Sequence, residues 1–148
     1  MVSLPIEEVI KEKIRRLYED GWDRGDLAAI DEVFAPQHVL HWHDYPPSDQ
    51  LRTPDEVKAI VREFRAAFPD LRVVLDHLVV EGERAAVQVT FAGTHSGEYE
   101  GFAPTYRIGS FTDIQILRFE NGKVVESSLP SGGLRYFFAM LDGSLYCE

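Results

Sequence analysis

The chain of 148 residues holds a single cysteine, Cys147, and no apolar run near the ~20 residues that a membrane-spanning helix requires. A lone thiol closes no internal disulfide, so nothing points to an oxidising compartment. Positive charge is also scarce. With 15 Lys and Arg against 25 Asp and Glu, the formal net charge is −10. Binding to nucleic acid or to an anionic membrane depends on cations that displace counterions, so both partners are disfavoured. The segment MVSLPIEEVIKEK has no basic stretch followed by an apolar one. There is no phosphate-cradling glycine loop, nucleophile elbow or dinucleotide fingerprint, and Gly132-Gly133 alone does not make one. A cytoplasmic protein with no cofactor is the expectation.

What remains is enough for one domain spanning 1–148, which at this length buries roughly two-thirds of its unfolded surface. A first helix is expected from Ser3–Pro5 to Trp22, with Ile6, Ile10, Ile14, Leu17 and Tyr18 on one stripe. Gly25-Asp26 interrupts it, Asp26 caps a short second helix, and Pro36 ends that helix. Thr53-Pro54-Asp55-Glu56 is a capping box with proline at the first helical position, opening a third helix that carries Val57, Val61, Phe64 and Phe68. His38–Tyr45 reads as a strand and Pro46–Asp49 as the loop after it. Beyond Leu71 the pattern becomes strands, paired as hairpins about Glu81-Gly82-Glu83 and Asn121-Gly122. Val73, Leu75 and Val79 share one parity and Val74, Leu78 and Val80 the other, which predicts a sheet covered on both faces. A second subunit is the expected cover on the convex side.

Candidate chemistry gathers in three places. In HVLHWHDY, an extended chain puts His41 and His43 on one face. They could ligate a metal, serve as a general base, or sit at a pocket rim; no metal-type spacing recurs, so no metal is expected. On the last long strand, Asp113 and Gln115 share a face with Phe111 and Leu117, a costly placement unless both polar groups have work there. Aromatic side chains at Tyr18, Trp22, Phe34, Phe64, Phe68, Phe91, Tyr106 and Phe111 fall on inward faces or at element ends, as in a pocket for a flat hydrophobic ligand. The apolar tail LRYFFAMLDGSL could close the pocket or enter an interface.

The fragments GWDRGDLAAIDEVF, EFRAAFPDLRVVL, GTHSGEYEGFAPTYR and ILRFENGKVVES, in this order, resemble the SnoaL-like polyketide cyclases of the nuclear-transport-factor-2-like superfamily. The resemblance implies an α+β cystatin-like cone: three N-terminal helices on a strongly curved antiparallel sheet that encloses a pocket. It implies a cofactor-independent cyclase, isomerase or hydrolase of secondary metabolism, acting on a small hydrophobic carbonyl compound; the strands that are apolar on both parities add the expectation of a homodimer. Aligned through Phe34-Ala35-Pro36, the family's first-strand histidine falls at His41, and the histidine of Gly93-Thr94-His95 matches His95. The cyclase histidine of the long strand is replaced by Gln115. Its general acid/base aspartate is replaced by Leu129, and glycine of the Pro-Pro-Thr-Gly-Arg motif by Tyr106. With that aspartate gone, His41 is expected to remove a proton, Asp113 to orient it or return the proton, and Tyr18 and Gln115 to hold an enolate oxygen. Trp22, His43, Phe64, Phe68, Phe91, His95, Tyr106, Phe111 and Leu129 are the expected substrate contacts. The competing expectation is a non-catalytic binding or protein-interaction domain.

Overall fold

The computed structural model describes residues 4–43, 47–129 and 139. The chain runs α1 (Ile6–Arg15), a π-helix (Arg16–Asp23), α2 (Ala28–Val33), β1 (Phe34–Trp42), β2 (Ser48–Arg52), α3 (Pro54–Ala67), β3 (Arg72–Glu81), β4 (Arg84–Thr94), β5 (Ile108–Glu120) and β6 (Lys123–Leu129). The strands form one sheet in the order β2-β1-β6-β5-β4-β3. Helices pack on its inner face, so the molecule is an α+β cone. Among the described residues no helix is long and apolar enough to cross a membrane.

The capping box behaves as its sequence predicts. Thr53 Oγ1 accepts from the Glu56 backbone N–H and donates to its carboxylate, both at 3.3 Å. Both hairpins form as expected, and Asn121 and Gly122 each take the positive φ that a tight turn between twisted strands demands.

Four expectations need correction. The first helix does not run as one α-helix to Trp22, because its second half widens into a π-helix. Pro36 does not end α2; it lies inside β1, where the ladder to β6 is irregular between Phe34 and Val39 and a missing N–H costs little. The stretch after Pro47 is not all loop: Ser48–Arg52 pairs antiparallel with β1 as a short, polar edge strand. The sheet is mixed, since β1 runs parallel to β6.

The two-parity apolar pattern of β3 also has a local cause. A register irregularity between Leu75 and His77 reverses which parity faces inward. Val73 is buried, and Leu75, Leu78 and Val80 pack against the core, while Val74 and Val79 point outward. β4 alternates cleanly, with Ala85, Val87, Val89 and Phe91 inward.

Candidate functional site

The GWDRGD segment builds one wall of the site. Gly21 is buried where an added Cβ would touch Ala29 at 3.4 Å, bringing the π-helix close to α2. Gly25 turns the chain with φ +78°, and Asp26 N–H reaches back to the Asp20 carbonyl. Arg65 of α3 donates to the carbonyls of Trp22 and Asp23, each at 2.7 Å, satisfying acceptors at the end of the π-helix. Asp23 in turn accepts from Val73 N–H at 2.8 Å and so ties the segment to β3. Tyr18 and Trp22, four residues apart, are thereby held against the inner face of the sheet.

Tyr18 is 1% exposed and its hydroxyl donates to Gln115 Oε1 at 2.7 Å. Burial, reinforced by the negative charge of Asp113, pushes the phenol far above its usual titration range, so it stays protonated at any working pH. Asp113 and Gln115 are half-buried while Phe111 and Leu117, on the same face of β5, are buried. Partly open polar groups between closed apolar ones mark this stretch of the inner face as a candidate recess.

Aromatic rings line it. Trp22 meets Phe91 edge-on at 5.4 Å and Phe64 at 6.1 Å, and Phe91 stacks on its register partner Phe111 at 4.9 Å. Phe64 touches Phe111 from the helical side. Phe68 stacks behind Phe64 and is wholly buried, which makes it core rather than lining. Tyr99, from the segment joining β4 to β5, packs edge-on against Phe64, and burial pushes its phenol up to about 12.

The histidines fall differently from the sequence expectation. His41 does not meet Asp113. In the β1–β6 register it neighbours Ser128, which pairs with the half-exposed Ile116 of the outer face, whereas Asp113 shares the inner face with Leu117. His41 Nδ1 lies 2.7 Å from Asp49 Oδ1 and its Nε2 3.9 Å from Glu126, a carboxylate held by Arg118. The cause is register: Leu40 pairs with Ser127, the partner of buried Leu117, so the even-numbered residues of β1 share the inner face. The inward histidine is therefore His38, which the sequence reading passed over. It is buried beside Phe34, and desolvation, with Arg52 adding to it, lowers its pKa to about 4. His43 is exposed at the end of β1.

His95 anchors a loop. It is buried, stacks on Phe68 at 5.3 Å, accepts at Nδ1 from Thr105 N–H, and exchanges backbone hydrogen bonds with Tyr106 and Arg107. Desolvation lowers its pKa against an opposing pull from the Gly97 carbonyl, so it is neutral near pH 7. Tyr106 does not line the recess: it is 72% exposed and takes φ +58° in the position where the resemblance expects glycine. The Leu129 side chain and the apolar tail lie outside the described residues, Ala139 excepted. Among the described residues no three His, Cys, Asp or Glu side chains converge to hold a metal ion.

A cone whose inner face carries aromatics around a few polar groups defines a class of small-ligand α+β domains. The family model for SnoaL-like polyketide cyclases matches residues 12–129, and the chain belongs to that family. Among solved structures, a candidate SnoaL-like polyketide cyclase from Jannaschia sp. CCS1 superposes with a TM-score of 0.78 at 22% identity, covering 95% of this chain and 96% of that one; at this identity the likeness is one of fold. AclR, a candidate hydroxylase from Streptomyces galilaeus, matches with a TM-score of 0.75 at 26% identity over 92% of this chain and 86% of its own. IdmH, a candidate polyketide cyclase from Streptomyces antibioticus, matches with a TM-score of 0.72 at 27% identity over 90% and 98%. No curated protein matches the chain.

Proposed function

We propose that the protein is a cofactor-independent enzyme that moves a proton next to a carbonyl group in a small, flat, hydrophobic compound, with Asp113 as the acid/base group. The observation that carries this reading is Asp113 on the inner face beside a buried, protonated Tyr18 and the amide of Gln115, within an aromatic wall. His41, on the outer face, is not part of this site. In the reaction the Asp113 carboxylate takes the proton from carbon, the electron pair moves onto the carbonyl oxygen, and the Gln115 amide stabilises the resulting enolate. Asp113 then returns the proton to carbon or oxygen, closing the cycle without an external acid. Trp22, Phe91 and Phe111 hold the flat substrate. Family membership and the cyclase and hydroxylase descriptions of similar structures support chemistry of this kind.

Deuterium exchange at the carbon next to the carbonyl of 2-tetralone, followed by NMR, tests the proposal. The protein should accelerate the exchange, and Asp113→Asn should remove about 10²- to 10⁴-fold of the acceleration. Binding of the ketone without faster exchange would leave the second reading, a non-catalytic binder. That reading is favoured by the residues at two positions: the family resemblance sets Gln115 and Leu129 against the cyclase histidine and aspartate, and neither side chain takes up or gives a proton at working pH. We also propose that the protein works in the cytoplasm as a homodimer, joined through the outer sheet face that exposes Val74, Val79, Ile114 and Ile116.

A further inference from the structure

We infer that Tyr18 does not contact substrate but positions Gln115, and that the pair makes the recess select ligands offering an oxygen acceptor over ligands offering a donor. This inference rests on the recess being the ligand site, as proposed above.

A phenol has one proton to donate, and that of Tyr18 goes to Gln115 Oε1 at 2.7 Å. Its burial and the nearby charge of Asp113 keep that proton in place. Tyr18 therefore has no proton left for an enolate oxygen, contrary to the role that the sequence suggests for it. The effect on Gln115 is greater. An amide has one acceptor end and one donor end, and by engaging the acceptor end Tyr18 turns the NH₂ group away from itself. Among the described residues Gln115 Nε2 makes no hydrogen bond, and Gln115 is half-buried on the inner face. The reversed amide would place NH₂ against the phenol oxygen and leave the phenol proton to seek a new acceptor. At Gln115, as distinct from the neighbouring Asp113 carboxylate, the recess thus presents N–H to whatever enters. A ketone or quinone carbonyl satisfies it; a ligand offering N–H or O–H at the same place leaves two donors face to face, at the cost of an unmade bond. A neutral histidine at this position would offer either a donor or an acceptor according to tautomer. Tyr18 with Gln115 fixes the choice.

Three planar tricyclic probes of nearly equal shape separate the outcomes by isothermal titration calorimetry: 9-fluorenone (carbonyl acceptor), carbazole (N–H donor) and fluorene (neither). Fluorenone should bind about 3- to 10-fold more tightly than carbazole, the range expected of one net hydrogen bond. Tyr18→Phe should bring that ratio close to one while fluorene affinity stays the same, because the released amide can present either end. Gln115→Leu removes the amide donor itself and should likewise abolish the ratio; it takes the acceptor from the buried Tyr18 hydroxyl, so its fold is checked by a thermal melt, and it serves if Tyr18→Phe does not fold. A purely structural Tyr18 would alter all three affinities together and leave the ratio intact. Equal binding of all three probes to the unaltered protein, or a preference that survives Tyr18→Phe or Gln115→Leu, overturns the inference and leaves the site standing. Binding of none of them overturns both.

Discussion

His38 is neutral at pH 7 because charging it would strip a cation of water inside the fold next to Arg52, a cost that the Glu56 carboxylate only partly offsets. Its folded pKa, about 4, lies below the ordinary 6.5, so the unfolded chain binds this proton more readily than the folded one. The stability that His38 contributes is whole above pH 6.5 and is lost as pH falls toward 4. Thermal melts between pH 7 and 4 should show that decline, and His38→Phe should flatten most of it; a fall of equal size in the variant would assign it elsewhere. Two glycine-type positions give further tests. An added Cβ at Gly97 would lie 2.2 Å from the Ala66 carbonyl oxygen, so Gly97→Ala should cost about 1 to 3 kcal/mol in urea denaturation. At Tyr106 the backbone is left-handed and the ring exposed, so Tyr106→Gly should leave stability unchanged or raise it by up to about 1 kcal/mol.

The π-helix is the element on which the site turns. It carries Tyr18 and Trp22, and its end is held by hydrogen bonds from Arg65 rather than by an α-helical cap. Arg65→Ala leaves the Trp22 and Asp23 carbonyls without those donors. It should cost about 1 to 3 kcal/mol and broaden the tryptophan near-ultraviolet circular dichroism signal as Trp22 loosens against Phe91. An unchanged spectrum would mean that packing alone holds the ring. The third helix needed no such support from elsewhere: Thr53, Pro54 and Glu56 start it locally, which is why its place was readable from four residues.

At the scale of the molecule, the outer face of the sheet exposes several large apolar side chains, with Ile116 at 47% exposure and Val79 at 65%. Their register partners connect them through Ala86, so they form one continuous row. If this face joins two copies, Ile116→Lys should convert a dimer to a monomer in light scattering at micromolar concentration, with the melting transition retained. A monomeric unaltered protein would end the dimer proposal.

Hairpin turns, the capped third helix, the inward face of β5 and the family itself were all set by short-range features of the sequence. A turn needs two residues able to take positive φ, a cap needs an oxygen three positions before its N–H, and a strand face needs only alternation. The Phe111, Asp113, Gln115 face was legible for that reason. Parity elsewhere was not, because it depends on where a strand starts and where its ladder slips. The pairing of β1 with β6, which sets Leu40 beside Ser127 and His41 beside Ser128, turned His41 outward and His38 inward, and the irregularity at Leu75–His77 turned an apparently two-sided strand into a one-sided one. Tyr18 and Gln115 lie 97 residues apart, and only the packing of the π-helix over the inner face of the sheet brings the phenol to the amide. Local sequence thus set which residues could share a face; the pairing of distant strands and helices, which buries the most apolar surface only in one register, decided which faces meet.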